Sequence, residues 1–90
     1  MKVIKIGAEW CPGCLVMKPR WEKIEEELEW LETEYLDYDQ DGEKVEEYGL
    51  KEGKLPVFIF LDKNGEEFMR LQGEHPKDEL IELCKENKDK

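Results

Sequence analysis

Two cysteines separated by two residues, in Trp10-Cys11-Pro12-Gly13-Cys14, fall where a short β-branched run hands over to a long amphipathic segment. Lys2 to Ile6 (KVIKI) reads as a strand that starts almost at the first residue. From Cys11 to Leu31, the residues Met17, Trp21, Ile24, Leu28 and Leu31 recur at steps of four, three, four and three, one apolar stripe on a helix. Pro12 suits the first helical turn, where its missing N–H is not needed. Pro19 falls inside the helix and is expected to kink it. On the first turn, cysteines at i and i+3 share a face and lie within bridging reach. With Cys11 as the N-cap, its sulfur faces unpaired N–H groups and the positive end of the helix dipole. Both favour thiolate, the reactive form, and such settings bring cysteine pKa values to roughly 3.5–7.5 from about 8.5. Cys14, one turn inside, is expected to be more shielded and to keep its proton longer. That asymmetry makes Cys11 the nucleophile of a thiol–disulfide exchange and Cys14 the resolving thiol.

The other chemistry of such a pair is half of a zinc site, which normally takes four ligands. Beyond the pair, the chain offers a distant Cys84 and a single histidine, His75. Cys84 shares a stripe with Leu80 and Ile81 and reads as a core residue, while His75 reads as a solvated cap position at a helix start. No metal and no organic cofactor is expected. The net charge of −10 repels phosphate backbones and anionic membranes, so neither nucleic acid nor a membrane is an expected partner. Charged residues make up 42% of the chain against roughly 25% in ordinary domains, so much of the excess is solvated surface. Met1 to Ile6 is too short for a signal-peptide core and is interrupted by Lys5, which points to a cytoplasmic protein. Ninety residues form one domain, 1–90, and a monomer is expected.

Further along, Thr33 to Tyr38 reads as a second strand, Asp39 to Gly42 as a turn, and Glu43 to Tyr48 as a short helix stopped by Gly49. Val57 to Leu61 (VFIFL) is apolar throughout and is expected to be a central strand buried on both faces. Asp62-Lys63-Asn64-Gly65 is a hairpin signal leading into Glu66–Gln72. Pro76 opens a last helix.

These motifs together resemble thioredoxins over nearly the whole chain. Ala8-Glu9-Trp10-Cys11 is similar to the lead-in to that family's active site, and Pro19 to its kinking proline. Tyr38-Asp39-Gln40 with Tyr48-Gly49-Leu50 resembles the second strand and the segment after it. Leu55-Pro56-Val57 resembles the cis-proline segment, Lys63-Asn64-Gly65-Glu66 the terminal hairpin, and Gly73 a glycine facing the site. The resemblance implies an α/β, thioredoxin-like fold with a minimal four-stranded mixed sheet (βαβ then ββα) in spatial order 2-1-3-4, flanked by helices. It implies strands 1 and 2 parallel and an antiparallel hairpin, without the family's extra N-terminal strand and helix. It also implies a cis bond before Pro56, against the trans reading that an X–Pro bond alone receives. Backbone groups near Leu55 and Pro56, with Gly73, would then pair with an extended substrate, and Trp10 would form an apolar rim for docking.

The chain departs from the pattern inside the site. Pro12-Gly13 reverses the usual dipeptide, and these two residues tune the redox poise. Gly7 replaces a bulky residue and leaves open space. The family's buried aspartate falls on Lys5, and its lysine neighbour on Tyr35. One reading places Lys5 under the cysteines, paired with Asp37 or the Tyr35 hydroxyl and stabilising thiolate. The other has Lys5 snorkelling to solvent from a strand that has become an edge.

The expected function is that of a thioredoxin-like protein-disulfide reductase cycling through a Cys11–Cys14 disulfide. Its partners would be disulfide-containing proteins and an unidentified thiol or flavin reductase. A glutaredoxin-like, glutathione-dependent reductase and a non-catalytic binding module on the same scaffold are the alternatives.

Overall fold

The computed structural model describes residues 1–50 and 54–90. Its elements are β1 (Lys2–Gly7), α1 (Pro12–Glu27), β2 (Glu32–Asp37), α2 (Gly42–Glu47), β3 (Val57–Leu61), β4 (Glu67–Gln72) and α3 (Lys77–Glu86). The four strands form one sheet in the order β2-β1-β3-β4, with β1 parallel to β2 and antiparallel to β3, and β4 antiparallel to β3. This is the expected mixed sheet.

Alternation along the strands divides the core between two faces. Val3, Phe58 and Phe60 meet Met17, Trp21, Ile24 and Leu28 of the α1 segment and Leu80 and Cys84 of α3. Ile4, Ile6, Leu36, Val57, Ile59 and Leu61 meet Val45 of α2 on the opposite face. β3 serves both clusters, so every one of its residues is buried. Cys84 is fully buried, and burial pushes its thiol up to about 11.

The first helix stops earlier than its apolar stripe. It ends at Glu27, with Leu28 as C-cap, and Leu31 is reached through a turn in which its N–H donates to the Leu28 carbonyl at 3.0 Å. Leu28 and Leu31 stay buried, so the stripe reported packing and overstated helix length. The chain must turn there to return as β2 parallel to β1. At the hairpin, the Asp62 carboxylate accepts the N–H groups of Asn64 and Glu66 at 2.8 and 3.0 Å, and Gly65 adopts φ +81°. His75 is not a helix cap, since Pro76 is the N-cap of α3. A His75 ring nitrogen lies 3.0 Å from the Gln72 carbonyl instead.

Candidate active site

The site forms where β1 ends and α1 begins. Cys11 has extended backbone angles (φ −94°, ψ 112°), Pro12 follows at the first helical position, and Cys11 Sγ accepts the Cys14 backbone N–H at 3.2 Å. This is the N-cap arrangement read from the sequence, with sulfur doing what a serine or aspartate oxygen usually does. Both cysteines are free thiols.

Their coverage reverses the expectation. Cys11 is the buried member, 5% exposed, whereas Cys14 is half-buried and lines an open cavity. Cys14 Sγ and the Tyr35 ring pack close against Gly7, where a Cβ would lie 3.1 Å from Cys14 Sγ and 3.4 Å from Tyr35 Cε1, so the space expected beside this glycine is filled. The protonation asymmetry keeps its expected direction nonetheless. The Cys14 thiol is pushed up to about 12, first by desolvation and then by its hydrogen bond to Cys11. Cys14 is therefore the thiol that holds its proton.

Opposite the helix start, the Leu55–Pro56 peptide bond is cis, as the resemblance implied. A Cβ at Gly13 would lie 3.1 Å from Pro56 Cδ, so the loop rests directly on the cysteine turn and a side chain there would require the loop to give by a few tenths of an ångström. Gly73, at φ +86°, donates its N–H to the Pro56 carbonyl at 2.8 Å. That carbonyl is thereby engaged. Among the described residues no hydrogen bond is made to the Leu55 backbone.

Trp10 is 57% exposed beside Cys11, yet it is held in place. Its indole N–H donates to Asp39 Oδ2 at 2.7 Å, and its ring stands edge-on to Tyr38 at 6.2 Å. The sequence reading missed this clamp, although Tyr38-Asp39 lies in a quoted motif; which residues face Trp10 depends on the parallel pairing of β1 and β2.

Lys5 requires a correction. It pairs in register with Tyr35 on β1, an interior strand, so it does not leave from an edge. It also does not reach Asp37 or the Tyr35 hydroxyl: Lys5 Nζ donates to Glu25 Oε2 at 3.2 Å, and Glu25 Oε1 accepts the Thr33 hydroxyl at 2.6 Å. Glu25 lies about three helical turns beyond Cys14, so the ammonium swings along α1 away from the cysteines. Asp37 is occupied otherwise, its Oδ1 accepting the N–H groups of Asp39 and Gln40 at 2.9 Å each. Tyr35 does lie near the pair: burial, then the charges of Asp37, Cys14 and Glu9, raise its phenol above the ordinary range. Among the described residues no cluster of three or more metal-ligating side chains is present; Cys84 is in the core and His75 is at the start of α3.

Residues 1–86 match a family model described as Thioredoxin. The chain is 32% identical over 81 residues to the thioredoxin of Chlamydia muridarum, spanning 90% of this chain and 76% of that protein. It is 31% identical over 86 residues to the thioredoxin of Rickettsia bellii, spanning 94% and 79%. The X-ray structure of Fasciola hepatica thioredoxin superposes with a TM-score of 0.84 at 28% identity, covering 96% of this chain and 79% of the other. Sequence similarity over nine tenths or more of this chain, the shared fold and the paired cysteines at the head of α1 converge: the chain belongs to the thioredoxin family.

Proposed function

We propose that the chain is a protein-disulfide reductase in which Cys11 attacks and Cys14 resolves. Membership of the family supports thiol–disulfide oxidoreductase chemistry in general. The observation that carries the finer reading is the Cys14 N–H on Cys11 Sγ at 3.2 Å, with the proton held on Cys14. Cys11 thiolate attacks one sulfur of a substrate disulfide and expels the other as thiolate. Cys14 then gives its proton to the first substrate thiolate and attacks Cys11 Sγ, releasing the second substrate thiolate, which is protonated by solvent, and leaving a Cys11–Cys14 disulfide. Two electrons pass from the dithiol to the substrate, which becomes a dithiol. Trp10, the Leu55 backbone and the Pro56–Gly73 corner form the ledge on which an extended protein segment would rest. Pro12 and Gly13 tune the poise of the pair: Pro12 occupies the first helical position, and Gly13 lets the Pro56 loop close in.

The test is insulin disulfide reduction driven by dithiothreitol, in wild type and Cys11→Ser. Loss of turnover to the uncatalysed rate is expected, and activity surviving in the variant overturns the assignment. A Cys11–Cys14 potential near about −270 mV would accord with a reductase, and one near about −120 to −180 mV with an oxidant or isomerase.

A further inference from the structure

Just past Gly73 the chain sets a carboxylate against the cysteine turn. Gly73, at φ +86°, turns the backbone out of β4, and its N–H on the Pro56 carbonyl fixes the corner. Glu74 follows and is exposed, and a Cβ at Gly13 would lie 3.7 Å from its Cγ and 3.9 Å from its Oε2. Gly13 is two residues from Cys11 on the first turn of α1, so this carboxylate stands within about 10 Å of Cys11. Among the described residues Glu74 has no hydrogen-bond or ion-pair partner. Elsewhere glutamates are matched by cations, Glu34 by Lys2, Glu27 by Lys77 and Glu67 by Arg70. Around the cysteines the balance differs. Glu9 precedes Trp10 and Asp39 holds its indole, so carboxylates flank the turn on the Trp10 side as Glu74 does on the Pro56 side. The lysines nearest in the chain are Lys18, four residues past Cys14, and Lys54, just before the ledge. Arg20 directs its guanidinium to the His75 carbonyl at 3.0 Å.

Resting on the reductase reading above, we infer that Glu74 selects protein substrates that carry a lysine or arginine beside the disulfide-forming cysteine. An extended segment advances about 3.3 Å per residue. With its cysteine at Cys11, the residue one or two positions along brings a long side chain within reach of the Glu74 carboxylate. A guanidinium or ammonium there finds an acceptor that the protein itself leaves unmatched, whereas a carboxylate meets one of its own sign. Docking removes water from the contact and so enlarges the difference between the two cases. The net charge of −10 acts in the same direction at longer range, drawing basic partners toward the site. Glu74 then makes the selection local, at the sulfur that reacts.

The experiment uses three disulfide-linked peptide dimers in which the cysteine is flanked on both sides by arginine, by glutamine or by glutamate. Pre-reduced protein is mixed with each at pH 7, and each second-order rate is divided by that of the same peptide with dithiothreitol, which removes differences in intrinsic reactivity. Wild type is expected to favour the arginine peptide over the glutamate peptide by about thirtyfold at low salt. At 1 M salt, where the Debye length is about 3 Å, the ratio should fall below about threefold. Glu74→Gln is expected to lower the low-salt ratio about fivefold. Glu86→Gln makes the same change in net charge at the far end of α3 and should lower it by less than about 1.5-fold. A wild-type ratio near one, an unchanged ratio in Glu74→Gln, or equal falls in the two variants overturns the inference. The glutamine peptide separates this claim from the reading beneath it. Its reduction no faster by wild type than by Cys11→Ser sinks the reductase reading, while reduction that ignores flanking charge sinks only the choice of substrate.

Discussion

If Cys14 holds its proton as the structure indicates, its alkylation should be slow in the native protein and steeply dependent on pH. The perturbation is simple exposure of the reduced protein to iodoacetamide. Raising the thiol from its ordinary 9.0 to about 12 lowers its thiolate fraction about a thousandfold at neutral pH. A more basic thiolate is intrinsically more nucleophilic, and with a Brønsted coefficient of about 0.4–0.5 three pKa units return a factor of about 16–32. The net expectation is alkylation about 30–60-fold slower than for an ordinary thiol, before any steric protection. The assay follows Cys14 modification by peptide mass over time, in native protein and in the same chain unfolded in urea. In the native state the rate should climb about tenfold per pH unit from neutrality to beyond pH 10. A native rate within twofold of the unfolded chain at pH 7, or a plateau near pH 9, would refute the claim that burial and the Cys11 hydrogen bond hold the proton in place.

The same physics predicts alkaline lability. Cys14 and Cys84 titrate at about 12 and about 11 in the folded chain against 9.0 ordinarily, so the unfolded chain releases its protons first. Their contribution to stability is intact below about pH 9 and is lost as pH rises through the folded values. Urea midpoints should fall from about pH 8.5 to 10.5, and the fall should be shallower in Cys84→Ala; an identical slope in that variant would exclude a share for Cys84. Lys5→Met breaks a partly exposed ion pair directed away from the cysteines, so stability should change by no more than about 1 kcal/mol. The pH profile of Cys14 alkylation should be unchanged in that variant, and a displacement of half a pH unit or more would restore a coupling between Lys5 and the thiols. Phe60 is fully buried between the sheet and both long helices, and Phe60→Ala should lower the unfolding free energy by about 3–5 kcal/mol in chemical denaturation. A loss under about 1 kcal/mol would mean that this face of the sheet is not the cooperative core.

Local patterns in the sequence were sufficient for the frame. Apolar spacing of three and four marked α1, the unbroken VFIFL run marked a strand covered on both sides, and Asp62 to Gly65 marked the hairpin. Each depends on neighbours in the chain, as does the N-cap geometry of Cys11 with Pro12 behind it. Strand order and the cis bond at Pro56 came from family resemblance, since short-range energetics alone favour trans.

The assignments that failed or were invisible depend on groups brought together from distant positions. Lys5 chose Glu25, twenty residues away, over Asp37 and Tyr35, because α1 crosses the sheet in a direction that no window of sequence reveals. Trp10 found Asp39 only through the parallel pairing of β1 with β2. The cysteine pair illustrates the division most clearly. Its place at the head of a helix followed from residues 10 to 14, whereas the proton is held on Cys14 first by desolvation, a tertiary effect, and then by its hydrogen bond to Cys11. Which sulfur is the more exposed was decided by tertiary structure, because the answer depends on groups from other elements, such as Gly7 of β1 packed against Cys14 Sγ. Accessibility is a property of what packs against a group, and packing partners are specified by the fold as a whole.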